Sequence, residues 1–318
     1  MLAHIDGRDD MTEQLTTPAR RRRVSLARRQ SRLYWAMLTP ALVLGGSLIL
    51  YPMYLAFDVS FSDVGMVTLD ALGDAERTLD NYIKLWQDPR VRESLLLALV
   101  YTLGATIPAF VLGLATALLL NKKFPGRRIL RTLVLLPWAV PTVLAAIAFL
   151  WILDASYGVL NYVLKSLGII NENIAWLAST DTSMIAVVIP TVWKIYPFFT
   201  LIILAALQAV PGDLYEAASV DGAGGLRQFW SITWPVIRPA CWLSLILQGL
   251  WTFREFDIIY PMTGGGPADS TNTLAIKVYN EAFNQFNMGF ASALGILTMV
   301  VGAIAIIVFY PKLRQQAF

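Results

Sequence analysis

Four charged side chains interrupt stretches that are otherwise apolar: Lys194 in the run 182–209, and Arg254, Glu255 and Asp257 in the run 240–262. Charge at bilayer depth is costly, so such groups face a water-filled cavity or one another. On a helix, Gln248, Thr252 and Glu255 fall at i, i+4 and i+7 and share one face. Thr191, Lys194, Ile195 and Phe198 form a comparable stripe, with Trp193 and Trp251 nearby. Carboxylate, amide and hydroxyl groups beside a flat ring suit a sugar, whose hydroxyls need partners and whose C–H faces pack on aromatics. Other uses of the same residues stay open. Lys194 can pair with Glu255 or Asp257 simply to assemble helices, or else Arg254 and Asp257 can snorkel to an interface. Alternatively, Lys194, Glu255 and Asp257 can relay a proton or cation in an ion-coupled secondary transporter.

Composition limits what else the chain can do. Apolar residues make up 56% of 318 and charged residues 15%, well below the roughly 25% typical of soluble domains. Several uncharged runs of about twenty residues point to an all-α membrane protein. The single Cys241 excludes an internal disulfide or a Cys-rich metal site, and the only histidine, His4, lies in the N-terminal tail. No catalytic residue and no metal site is expected. The tail carries Arg20 to Arg23, Arg28, Arg29 and Arg32, with no aromatic residue interleaved before Tyr34. That pattern fits a cationic flank of a membrane helix rather than a nucleic-acid arm.

Hydropathy predicts six transmembrane helices, at about 34–57, 94–120, 129–153, 182–209, 240–262 and 287–310. The expected organisation is a cytoplasmic tail at 1–32, then a first helix with an outer segment at 33–89. A five-helix core follows at 90–310, and a short tail at 311–318. Seventeen Lys and Arg fall in the tails, the loop at 122–131 and the segment 211–239, against six in the alternate segments. The bias predicts both termini in the cytoplasm of a multi-pass protein of the cytoplasmic (inner) membrane.

The segment 211–239, PGDLYEAASVDGAGGLRQFWSITWPVIRP, is polar and bounded by prolines. Pro211 and Asp213 suit a helix start. Gly222, Gly224 and Gly225 suit its end and a sharp turn. A second short helix carrying Leu226, Phe229 and Ile232 is expected to stop where Pro235 and Pro239 turn the chain back. Ala217 and Ala218 leave a bare surface beside Glu216. By itself such a segment reads equally as an amphipathic connector lying on headgroups.

Glu216-Ala217-Ala218, then Asp221-Gly222-Ala223-Gly224, then Ile232 and Pro235 closely resembles the EAA loop of ABC-importer permeases. LLPWAVP (135–141), YGVLNYVL (157–164) and TGGGPADST (263–271) resemble the sugar-importer branch, which includes the maltose permeases. The whole chain looks most like the trehalose-importer permeases of actinobacteria. The resemblance implies a type I ABC permease fold and an ATPase-coupling role for Glu216, Ala217, Ala218, Asp221, Gly222 and Gly224. It implies sugar contacts at Thr191, Lys194, Ile195, Phe198, Gln248, Thr252 and Glu255. Lys194 and Glu255 are charged departures from the maltose pattern, which argues for another sugar. No G-x-x-x-x-G-K-[ST] phosphate loop occurs, so no cofactor is expected in this chain. ATP and magnesium would belong to two partner ATPase subunits. The remaining implied partners are a second, different permease subunit, an extracytoplasmic sugar-binding lipoprotein, the sugar itself and membrane lipid.

Overall fold

Asp88 accepts the N–H of Arg90 at 2.9 Å and Pro89 occupies the first helical position, so α3 (Pro89–Asn121) starts sharply at the end of α2 (Asp80–Gln87). In the computed structural model, which describes residues 19–66, 68, 72–73 and 75–314, α3 packs along α7 (Ser183–Gln208). Lipid is as apolar as leucine, so burial alone does not drive two such helices together. Close approach does. Ala105, Ala109, Gly113 and Ala117 recur every fourth residue on the buried face of α3, a small-residue stripe. At Gly113 the backbones nearly touch, and a Cβ there would lie 2.4 Å from Phe199 Cβ and 3.0 Å from the Tyr196 carbonyl. Two hydroxyl contacts cross the same interface, Thr116 to Thr200 and Tyr101 to Thr191, both at 2.6 Å.

The chain divides at Leu55–Ala56. Before it lies most of α1 (Ala19–Ser60), whose backbone is helical through Pro40 and Pro52. Leu44, Leu48 and Tyr51 are exposed there. The side chains of Arg20 to Arg23, Arg28, Arg29, Arg32, Lys312 and Arg314 lie outside the described residues, as do residues 1–18 and 315–318. The second unit holds everything from Ala56 onward. One end of it is tied by Asn81, which donates to the carbonyls of Ser60 and Ser62 at 3.1 and 3.0 Å.

After α3, the expected third crossing is a broken one. α4 (Arg127–Ala139) and α5 (Thr142–Ile152) meet at 96° across Val140–Pro141. Pro141 has no N–H to give the Pro137 carbonyl, and residues before proline disfavour helical geometry. Counting the bent pair as one, the described residues contain six helices or helix pairs apolar and long enough to cross a membrane. The polar stretch 154–181, with α6 (Val159–Ser166), is organised by buried Asn161. Its amide donates to the Ile174 carbonyl at 3.0 Å and accepts from Trp176 Nε1 at 2.9 Å. Backbone N–H groups of Tyr157 and Ser156 hold the Asp154 carboxyl below the usual carboxylate range.

Beyond α7, α8 (Gly212–Val220) and α9 (Gly225–Gln228) form the polar segment. Here the expectation at Pro235 and Pro239 needs correction. They do not turn the chain back. The helix continues from α9 through a π segment (Phe229–Thr233) into α10 (Trp234–Phe253). Pro235 sits in the first turn of α10, and the preceding wide turn, closed by Trp234 N–H on the Phe229 carbonyl, absorbs it. The fifth crossing therefore ends at Phe253 rather than Met262, and Arg254, Glu255 and Asp257 follow its end. α11 (Ile259–Thr263), α12 (Leu274–Tyr279) and a second π segment (Asn280–Asn284) then lead to α13 (Met288–Arg314).

Candidate functional site

The two predicted stripes do face a common region, but they are not equally available. Thr191 is fully buried; its hydroxyl meets Tyr101 and donates to the Val187 carbonyl at 2.8 Å. Gln248 and Thr252 are buried and bonded to each other at 3.3 Å, and Ile195 is buried as well. Phe198 and Lys194 are half-buried. Phe198 packs edge-on to Trp251 with ring centroids 5.5 Å apart, joining α7 to α10, and 53% of Trp251 is exposed. The open part of this face is thus aromatic, with a polar layer behind it. Tyr101 on α3 belongs to that layer and carries no periodic signal in the sequence that would single it out.

Lys194 does not pair with a carboxylate. The ion pairs among the described residues are Asp58–Arg77, Asp88–Arg90 and the buried Lys277–Glu281. The Lys194 ammonium instead donates to the carbonyls of Pro137 at 3.3 Å, Trp138 at 3.0 Å and Val140. These are the carbonyls stranded by the break in the third crossing, at the negative end of the α4 dipole. One cation on α7 therefore satisfies what Pro141 leaves open. Replacing Lys194 with Met should leave the part-buried carbonyls of Pro137 and Val140 unpaired, at about 1–3 kcal/mol in all. The expected result is a lower thermal unfolding midpoint of the purified protein, partly restored by Lys194→Arg. An unchanged midpoint in Lys194→Met would remove the capping role.

Glu255 lies just past α10, half-buried, and its carboxylate accepts the Ile258 N–H at 3.2 Å, capping the turn into α11. Asp257 is exposed. The three-residue relay considered from the sequence has no continuous hydrogen-bonded geometry among the described residues.

The second candidate site is the segment between α7 and α10. No residue of α8 or α9 is buried. Its turn is nevertheless well defined. Gly222, at φ +75°, occupies the left-handed position after α8; its N–H reaches the Ser219 carbonyl at 3.1 Å, and Ala223 N–H reaches Ala218 at 2.9 Å. That is the two-bond helix stop which favours glycine. Gln228 braces the turn, donating to Ser219 Oγ and the Ala223 carbonyl, both at 3.0 Å. Tyr215 meets Thr233 at 2.8 Å. Glu216, Ala217, Asp221, Gly222 and Gly224 are exposed, and Ala218 is half-buried. The apolar side chains of Leu214, Val220, Leu226 and Trp230 are also exposed, Val220 to 88%. A nine-residue helix is marginal alone, so a braced tip with bare apolar groups has the character of a docking element.

Among the described residues, five continuous apolar helices and one broken one, with a helix–turn–helix displayed between α7 and α10, define a polytopic membrane protein. The chain belongs to the family of binding-protein-dependent transport system inner membrane components, whose sequence model matches residues 109–315. It is the membrane permease of such a system and not the ATP-hydrolysing subunit. Its relatives include the trehalose/maltose transport system permease protein MalF of Thermococcus litoralis, 36% identical over 86% of this chain and 90% of that one. The sulfoquinovosyl glycerol permease protein SmoG of Agrobacterium fabrum is 34% identical over 88% and 90%. The trehalose permease protein SugA of Mycobacterium tuberculosis is 33% identical over 93% of each chain. The fold matches a chain from the crystal structure of a bacterial ABC transporter that imports alginate. That match has a TM-score of 0.78 at 21% identity, covering 92% of this chain and 99% of that one.

Proposed function

We propose that this chain is one of two permease subunits of an ATP-driven importer of a sugar, a disaccharide with trehalose favoured. Both termini lie in the cytoplasm. The α8–α9 segment docks on one of two ATPase subunits, which bind ATP and magnesium. A second, different permease completes the pathway, and an extracytoplasmic binding lipoprotein delivers the sugar. The observation that carries this reading is the braced but unburied helix–turn–helix, continuous with α10 through the π segment. Movement of the docked tip is thereby transmitted along a single helix to Gln248, Trp251 and Thr252. Relatives named for trehalose support the substrate class; relatives named for sulfoquinovosyl glycerol and glycerol phosphate keep it broad.

In this mechanism the sugar stacks on Trp251 and Phe198. Hydroxyls are met by the polar layer of Thr191, Gln248, Thr252 and Glu255 as the helices rearrange, with Lys194 and Ile195 framing the face. ATP-driven closure of the ATPase pair shifts α8–α9 and turns the cavity from inward-facing to outward-facing. Transport requires that the two states differ in sugar affinity. Trp251→Ala is expected to raise the KM for uptake about tenfold, the order of one lost ring contact, with subunit assembly retained. An unchanged KM would take Trp251 out of the sugar path. The decisive experiment purifies the chain from its native membrane, identifies the copurifying subunits and measures sugar uptake in proteoliposomes. Uptake should require the ATPase and ATP. Accumulation by this chain alone, driven by an ion gradient, would overturn the reading in favour of a secondary transporter.

A further inference from the structure

The turn from α3 into α4 carries chemistry that the transport reading leaves unused. Lys122, Lys123, Arg127, Arg128 and Arg131 stand within ten residues that contain no acid. None of these side chains enters an ion pair or hydrogen bond among the described residues. The Nε atoms of Arg127 and Arg131 are buried without a partner. Lys123, Phe124, Gly126, Arg127, Arg128 and Ile129 line a cleft of about 540 Å³. It opens at the start of α4, where Gly126 offers no side-chain cap and the first turn holds no carboxylate. The positive helix end adds to the cations there.

A second hollow of about 290 Å³ follows along the same helix, lined by Arg131, Thr132, Leu135, Leu136 and Ala139. Arg127, Arg131, Leu135 and Ala139 succeed one another at i+4, so the cationic cleft passes into an apolar furrow on one stripe of α4. The furrow from Arg131 to Ala139 spans eight residues of helix, a rise of about 12 Å, most of the roughly 15 Å of hydrocarbon in one leaflet. An anion site in line with an apolar furrow of that length matches an anionic lipid. Free phosphate would leave the furrow empty, and an acidic protein surface would not reach along it. We propose that the α3–α4 turn and the α4 furrow bind one anionic phospholipid, its headgroup phosphate among Lys123, Arg127 and Arg128 and an acyl chain along Leu135, Leu136 and Ala139.

The test uses the assembled transporter in phosphatidylcholine nanodiscs containing a minor fraction of phosphatidylglycerol, with retained lipid counted by native mass spectrometry. Phosphatidylglycerol should remain bound to this chain. The Arg127→Gln/Arg128→Gln variant should weaken retention roughly thirtyfold, from the loss of two surface cations. Ala139→Trp, which fills the furrow and leaves the charges alone, should also release the lipid. Leu136→Gln at an exposed position provides the same readout if the tryptophan disturbs assembly. Undiminished retention in these variants overturns the proposal. Complete displacement of phosphatidylglycerol by inorganic phosphate does so too, in favour of a free-anion site. Loss of the ATPase subunits with lipid still bound points to protein docking and overturns it equally.

Discussion

Glu216→Lys is expected to reduce ATP-driven uptake to background and to detach the ATPase, with the permease still folded. Glu216 is exposed on α8, one turn before the bare tip at Val220, and forms no ion pair among the described residues. A surface change away from the core alters folding stability by about 0.5 kcal/mol or less. The fold should therefore not register it. Reversing a charge within a protein interface is a different matter, costing about 2–5 kcal/mol, or roughly 30-fold to several thousandfold in affinity. The measurements are sugar uptake, ATPase retained on purification and the thermal unfolding midpoint. Normal uptake together with normal ATPase retention would defeat the coupling role, whatever the midpoint does.

Gly113→Ala should destabilise the chain by about 2 kcal/mol or more, while Gly104→Ala on the same helix should be neutral to stabilising by up to about 1 kcal/mol. The contrast isolates backbone approach from helix propensity, because both changes gain the same small propensity benefit of about 1 kcal/mol. At Gly104 an added Cβ meets Val188 Cγ2 at 3.7 Å, ordinary contact. At Gly113 it would meet the Phe199 Cβ, the Tyr196 carbonyl and the Thr200 N, all within 3.1 Å. Backbone atoms cannot rotate aside, so α3 must move from α7 and strain the Thr116–Thr200 contact. Equal midpoints for the two variants would show that the α3–α7 interface yields without penalty.

Period and composition by themselves decide much of this protein. Runs of about twenty apolar residues must become helices at bilayer depth, since only there are backbone groups satisfied internally. The glycines of DGAGG required a left-handed stop, and Gly222 supplies it. The order of residues around Glu216 was enough to recognise the family. Other features depended on which atoms face one another across distant parts of the chain. The continuous hydropathy of 129–153 gives no sign of the 96° break at Pro141, and nothing local says that Lys194, more than fifty positions later, caps it. In the sequence Pro235 reads as a stop, because a π turn able to absorb a proline has no short sequence signature. Thr191 and Phe198 share one predicted stripe, yet only Thr191 is fully buried, since periodicity assigns a helix face but not what covers it. Local pattern determined the helices, the loop and the family. Burial of the polar layer, the cation at the break and the exposed tryptophan were decided only when α3, α4, α7 and α10 packed, because satisfying a buried polar group needs a partner that sequence spacing cannot name.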